Sequence, residues 1–194
     1  MKNLDDNSII LEDLNSIASN PFPWGSLANK TVLVTGGAGF IGSYLVKTLL
    51  HVNNLLDLGL TIVCVTRNIR SIKKRLNFCN NFPELIVFEQ DMSLPLSPDF
   101  PSADIMIHAA SQASPSYYSA DPVGTLAANV LGTINLLNFA QKNTLDQFLY
   151  ISSGEVYGEL GNAASEITED SYGYLDPMKV RSCYGESKRM SENI

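Results

Sequence analysis

Thr35-Gly36-Gly37-Ala38-Gly39-Phe40-Ile41-Gly42-Ser43 is the stretch on which the fold turns. Residues 31–35, Thr-Val-Leu-Val-Thr, form a short β-branched run before it, and residues 39–50 after it are patterned as a helix. Three glycines spaced G-x-x-G-x-x-G therefore sit on a strand-to-helix turn. Gly36 permits the tight turn, Gly39 lets backbone approach a pyrophosphate, and Gly42 lets the helix pack close to the sheet. The helix N-terminus adds unpaired N–H groups and partial positive charge. The amides of residues 37–42, including Phe40 and Ile41, are the expected seat of a dinucleotide diphosphate.

Outward from this turn, strand and helix alternate. Strands are expected at residues 61–66, 85–88, 103–109 and 148–152. Helices are expected at 69–78, with Arg70, Lys73, Lys74 and Arg75 on the wet face, at 123–142, and from about 179 to the end. Residues 51–59 read as an extension or insertion before the second strand. The alternation implies an α/β fold, a doubly wound parallel sheet of Rossmann type with right-handed crossovers. Residues 1–29 read as an accessory arm. It holds a short amphipathic helix through Ile9, Ile10, Leu14, Ile17 and Ala18, broken by Pro21 and Pro23 and pinned by Trp24 and Leu27. Residues 30–194 are then the NAD(P)-binding domain.

Composition limits the partners. Hydrophobic residues at 45% and charged residues at 17% describe a folded domain rather than a disordered chain. A net charge of −7 gives no reason to expect nucleic acid or an anionic membrane as partner. Cys64, Cys79 and Cys183 lack metal-ligand spacing, so neither a metal site nor a disulfide framework is expected. The acidic N-terminus (Lys2, Asp5, Asp6, Glu12, Asp13) has no apolar signal-like core, and no apolar run approaches the ~20 residues of a membrane span. A cytoplasmic location is the expectation.

The chemistry-bearing pattern is Tyr184-Gly185-Glu186-Ser187-Lys188. Residues four apart share one helix face. A phenol with a reference pKa near 10 needs help to act as a base at neutral pH, and an adjacent ammonium favours its phenolate. The fifth expected strand ends in Ile151-Ser152-Ser153-Gly154-Glu155-Val156-Tyr157-Gly158, at the crevice end of an open parallel sheet. Ser152 is the alternative hydroxyl, though strand alternation turns it away. At the end of the second strand stand Arg67-Asn68, with no carboxylate for the adenosine ribose. Arg67 either binds a 2′-phosphate, which favours NADP, or is an exposed arginine.

The glycine turn, Tyr-x-x-x-Lys and their separation resemble the extended short-chain dehydrogenase/reductases, the NAD-dependent epimerase/dehydratase family, over residues 30–194. The closest likeness is to UDP-glucuronate decarboxylases and dTDP-glucose 4,6-dehydratases. It is carried by residues 152–158, by Ala113-Ser114-Pro115-Ser116-Tyr117-Tyr118, and by Arg181-Ser182-Cys183 before Tyr184. The resemblance implies NAD as cofactor, or NADP because of Arg67. It implies Ser153, Glu155, Tyr184 and Lys188 as catalytic residues, and cofactor contacts from Asp91, Met92, Ala109, Ala110, Ser111 and Asn129 besides the glycine turn, Tyr184 and Lys188. His108 is expected to be structural. The dehydratases carry an Asp before the Glu, where this chain has Gly154, so decarboxylation of a UDP-glucuronate-like sugar is favoured over dehydration, and Glu155, which the epimerases usually lack, argues against 4-epimerisation. A non-catalytic NAD(P)-binding module is the alternative from another class. Members of the family continue well past a position like Ile194, so the substrate domain is expected to be absent here and the 194 residues alone inefficient in turnover. A homodimer through a helix bundle is also implied.

Overall fold

The structure is a computed structural model that describes residues 7–76, 82–161 and 166–194, apart from the side chains of residues 73 and 74. The acidic residues before position 7, Lys73 and Lys74 on their helix face, Phe78 and Cys79 lie outside the described residues.

Five strands, β1 (Thr31–Thr35), β2 (Thr61–Thr66), β3 (Leu85–Glu89), β4 (Ile105–His108) and β5 (Gln147–Tyr150), form a parallel sheet in the order β3-β2-β1-β4-β5. The strands are β-branched and apolar because both faces of the sheet are covered. The period-2 alternation divides β1 between two cores. Val32 and Val34 join Ile62, Cys64, Val46 and Leu50 on one side. Leu33 joins Val63, Val65, Met106 and Leu136 on the other. The direction of strand addition reverses between β1 and β4, and ligands bind at the carboxyl ends of strands at such a switch point. The doubly wound reading of the sequence holds.

On the first face, α1 (Ser8–Ser19) packs against α2 (Phe40–Leu56), capped by the Asn7 side chain, which accepts from Ile9 N at 3.0 Å. Leu14 is fully buried, and Trp24 and Leu27, on a 3₁₀ turn, pack on the same core. Residues 51–56, part of the stretch read from sequence as an extension or insertion, continue α2. His51, Val52 and Asn53 are buried there, and the Asn53 carbonyl oxygen accepts from Leu60 N at 2.8 Å, tying the helix end to β2. The third helix, α3 (Ile69–Arg75), is shorter than expected.

On the second face, α4 (Pro115–Ala120) leads into α5 (Pro122–Ala140), and α6 (Ser182–Asn193) packs along α5. The α4 helix was not foreseen. It is one Pro-started turn and a half, too short for periodicity to register. Asp121 caps α5, accepting from Gly124 N at 2.9 Å, with Pro122 in the first turn. Among the described residues, α5 alone is long and apolar enough to cross a bilayer, with a mean hydropathy of 1.3 over its apolar window. Its buried face nonetheless carries the polar residues Thr125, Asn129 and Thr133, each hydrogen-bonded. The last helix starts at Ser182 rather than 179, because the Ser182 hydroxyl and the backbone before it close a turn onto Asp176.

Candidate active site

The glycine turn is built as its spacing requires. Gly36 has φ +67°, and a Cβ there would lie 2.7 Å from Ala110 Cα, so β1 and β4 meet at backbone distance. Gly42 is needed for a different reason from the one read in the sequence. A Cβ on Gly42 would stand 2.3 Å from the Gly36 carbonyl oxygen, so the helix rests on its own turn. Gly39 caps α2 without a side-chain bond, and the first bond at the N-terminus runs from Ser43 N to Gly39 O at 3.0 Å. The amides of Phe40, Ile41 and Gly42 therefore precede the helical ladder and face the crevice end. The side chains of Phe40 and Ile41 are largely exposed and line an apolar groove beside α1, not the crevice. Only their backbone is available to a phosphate.

A cavity of about 420 Å³ opens beside this turn, lined by Gly36, Gly39, Arg67, Asp91, Met92, Ala109, Ala110 and Ser111. Its size falls in the range of ligand clefts. Within its wall the Ser111 hydroxyl and the Gln112 carbonyl oxygen are buried without a hydrogen-bond partner. Buried polar atoms are ordinarily paired, so these two, with the glycine-lined wall, fit a polar ligand such as a dinucleotide. Asp91 uses Oδ1 to accept from Ser93 N at 2.9 Å and from Ser93 Oγ at 2.7 Å, the behaviour of a turn former. Met92 is buried in the second core, and its neighbour Arg67 across the cavity is exposed. His108 hydrogen-bonds Thr35 Oγ1 through Nδ1 at 2.7 Å, and that hydroxyl also accepts from Ala110 N at 3.2 Å. Burial first, then the Lys188 charge, pushes the His108 pKa down to about 3, so the ring is neutral.

The second constellation stands on α6 and the segment after β5. Tyr184 is buried and Lys188 lies one turn on, its Nζ 5.9 Å from the Tyr184 ring centroid. The Lys188 ammonium donates to the Ile151 carbonyl at 2.6 Å and lies 4.5 Å over the Tyr150 ring. Burial lowers its pKa to about 8, and the Glu192 charge partly offsets that. Through Ile151, α6 is tethered two residues before Ser153. The Ser153 hydroxyl accepts from Glu155 N at 3.2 Å and caps the 3₁₀ turn Gly154–Tyr157. A Cβ at Gly185 would lie 3.1 Å from Glu155 O, so α6 rests directly on that turn beside Tyr184. Ser153, Glu155, Tyr184 and Lys188 thus share one corner of the sheet. Ser152 points elsewhere and donates to Glu192. Asn129 reaches α6 rather than the crevice, its amide donating to Ser187 Oγ at 2.8 Å while its carbonyl oxygen stays buried and unpartnered.

Three residues of this corner were given no role in the sequence reading. Arg181 bonds Glu155 at 2.5 Å. Tyr118, from α4, stacks on Tyr184 with ring centroids 4.6 Å apart and planes 14° off parallel. Burial, first among its causes, raises the Tyr118 pKa to about 12, so it stays a neutral phenol. Arg189 clamps the 3₁₀ turn through Val156 O at 2.5 Å and Gly173 O at 2.8 Å. The two arginines flank Tyr184 and Lys188 in sequence, a signal that was there to be used. Among the described residues no cluster of metal-ligating side chains occurs.

A family model described as NAD dependent epimerase/dehydratase family matches residues 32–194. UDP-glucuronic acid decarboxylase 6 of Arabidopsis thaliana is 36% identical over 167 residues, 86% of this chain and 46% of that protein. UDP-glucuronic acid decarboxylase 1 of Danio rerio is 33% identical, with 85% of this chain and 37% of the relative aligned. Among solved structures, a UDP-galactose 4-epimerase superposes with a TM-score of 0.64 at 25% identity, covering 84% of this chain and 49% of its own. A UDP-N-acetylglucosamine 4-epimerase from Methanobrevibacter ruminantium M1 gives 0.65 at 25% identity, covering 86% and 49%. The chain spans less than half the length of these curated relatives.

Proposed function

The chain belongs to the NAD-dependent epimerase/dehydratase family, and from that premise we propose that it is the dinucleotide-binding part of a nucleotide-sugar decarboxylase acting on a UDP-glucuronate-like substrate. The observation that carries the reading is the shared corner. Lys188 reaches Ile151 O, and Gly185 seats α6 on the Ser153–Glu155 turn, two tethers that support a reading in which the hydroxyl, carboxylate, phenol and ammonium act on one substrate. The decarboxylase choice rests on Gly154 beside Glu155 and on the likeness to UDP-glucuronic acid decarboxylases. Gly154 is not imposed by packing, since a Cβ there would meet open space. An acid at that position is left out where it would fit.

The glycine turn, Ser111 and the backbone at Ala109 and Ala110 would hold the dinucleotide, with Tyr184 and Lys188 at its nicotinamide end. Bound there, it supplies reversible removal of hydride from C4 of the sugar, which makes a C5 carboxylate the acid of a β-keto acid and able to lose CO₂. The residues of the chain do the rest. Ser153 donates to the sugar 4-oxygen and Tyr184 takes its proton. The Lys188 ammonium stabilises the phenolate, and the Ile151 carbonyl fixes where that charge sits. Glu155, held by Arg181, is placed to orient the C5 side of the sugar. The exposed Val123, Leu126 and Leu131 of α5 and Met190 of α6 support a homodimer through these helices.

The test uses the full-length protein with UDP-glucuronate, UDP-galactose and dTDP-glucose, watching for CO₂, epimer and 4-keto product. CO₂ from UDP-glucuronate is expected. A 4-epimer as the product would replace decarboxylation by epimerisation. Tyr184→Phe is expected to lower turnover by about 10²–10⁴ while sparing dinucleotide affinity. Near-wild-type turnover in that variant removes Tyr184 from the chemistry.

A further inference from the structure

We propose that the adenosine end of this cleft selects a 2′-phosphorylated dinucleotide, with Arg67 as the phosphate ligand. The inference rests on the dinucleotide site proposed above and goes beyond it in naming the cofactor form. A plain adenosine ribose presents two hydroxyl donors and is held by a carboxylate at the end of the second strand. Here that strand ends at Thr66 and is followed by Arg67 and Asn68, both lining the cavity together with Ser71. The nearby carboxylates are turned to other tasks. Asp91 closes its turn on Ser93. Glu89 accepts from Ile69 N at 3.0 Å. Asp121 caps α5 and accepts from Gln112 Nε2 at 3.1 Å.

The rim thus offers a cation where a ribose diol would need an acceptor, and the Ser71 hydroxyl beside it already donates to Asn68 O at 2.5 Å. Arg67 is exposed, so its guanidinium is not consumed by packing, and its planar fork suits a phosphate. A 2′-phosphate brings close to two negative charges at neutral pH, which a guanidinium can meet with paired N–H donors.

The experiment is calorimetric titration of the full chain with NADPH and NADH. NADPH is expected to bind about 10-fold or more tightly than NADH, with the preference shrinking as salt rises. Arg67→Asp is expected to abolish or reverse the preference. Equal affinities in the wild type, tighter NADH, or a ratio untouched by Arg67→Asp would overturn the proposal while leaving the dinucleotide site standing. Binding of neither nucleotide would remove both. The wild-type ratio decides the matter even where a variant folds poorly.

Discussion

Lys188 carries its charge into a nearly closed corner, and the consequence is legible in pH. Burial lowers its pKa from 10.5 to about 8. In the reaction proposed above Lys188 acts as an ammonium beside Tyr184, so kcat/KM of the full-length protein is expected to fall as pH rises through about 8. A flat rate up to pH 9 would sever Lys188 from the reaction. Stability runs the other way. Between about 8 and 10.5 the unfolded chain holds a proton that the folded chain has lost, so this group's contribution rises with pH there. His108 gives the acid counterpart. Its folded pKa near 3 lies below the ordinary 6.5, so its stability contribution is complete above 6.5 and is lost as pH falls toward 3. Urea unfolding between pH 4 and 6.5 is expected to show this slope, up to about 1.4 kcal/mol per pH unit, and His108→Gln to flatten it. An unchanged slope would mean that other groups carry the acid sensitivity. At this scale, local spacing marked Tyr184 and Lys188. The Tyr118 stack and the Arg181–Glu155 pair join residues far apart in sequence, and no local pattern encodes which of them meet.

Elements with a strict local rule were readable, and those fixed by tertiary contact were not. The β-branched runs of β1 and β2 give the strands their bounds, because a strand buried on both faces is built almost wholly of such residues, here with threonine at the ends. The end of α2 depends instead on Asn53 bonding β2, a contact invisible to helical periodicity. The glycine turn was recognisable, yet the reason for Gly42 was not, since the close approach is to Gly36 O rather than to the sheet. Gly42→Ala is therefore a test of the element. Its methyl would meet backbone at 2.3 Å, so the turn must open or α2 must shift. A loss of about 1–3 kcal/mol in stability is expected, together with weakened dinucleotide binding, measured by thermal denaturation and calorimetry. Gly154→Asp, placed in open space, is the matched control, and its melting temperature is expected to stay close to wild type.

At the scale of the whole molecule, an apolar face is left open by the elements of the described residues. A groove of about 960 Å³ runs between α1, α2 and the sheet, bordered by Phe22, Phe40, Ile41, Ile107, Phe148 and Leu149. Beside it, β5 is an edge strand of the sheet among the described residues. An apolar face next to a strand edge is the kind of surface that folded proteins cover. The relatives are more than twice as long as the matched segment, of which this chain spans 46% in one case. The 194 residues expressed alone are therefore expected to bind an apolar dye such as ANS and to self-associate. A protein of the relatives' full length is expected to give a weaker signal. Phe22→Lys combined with Leu149→Lys places charge at two positions that are 54% and 51% exposed. That pair is expected to cut dye binding while changing stability by only about 0.5 kcal/mol per site, as surface substitutions do. Dye binding that survives both lysines would locate the exposed apolar surface elsewhere, with α5 the next face to charge.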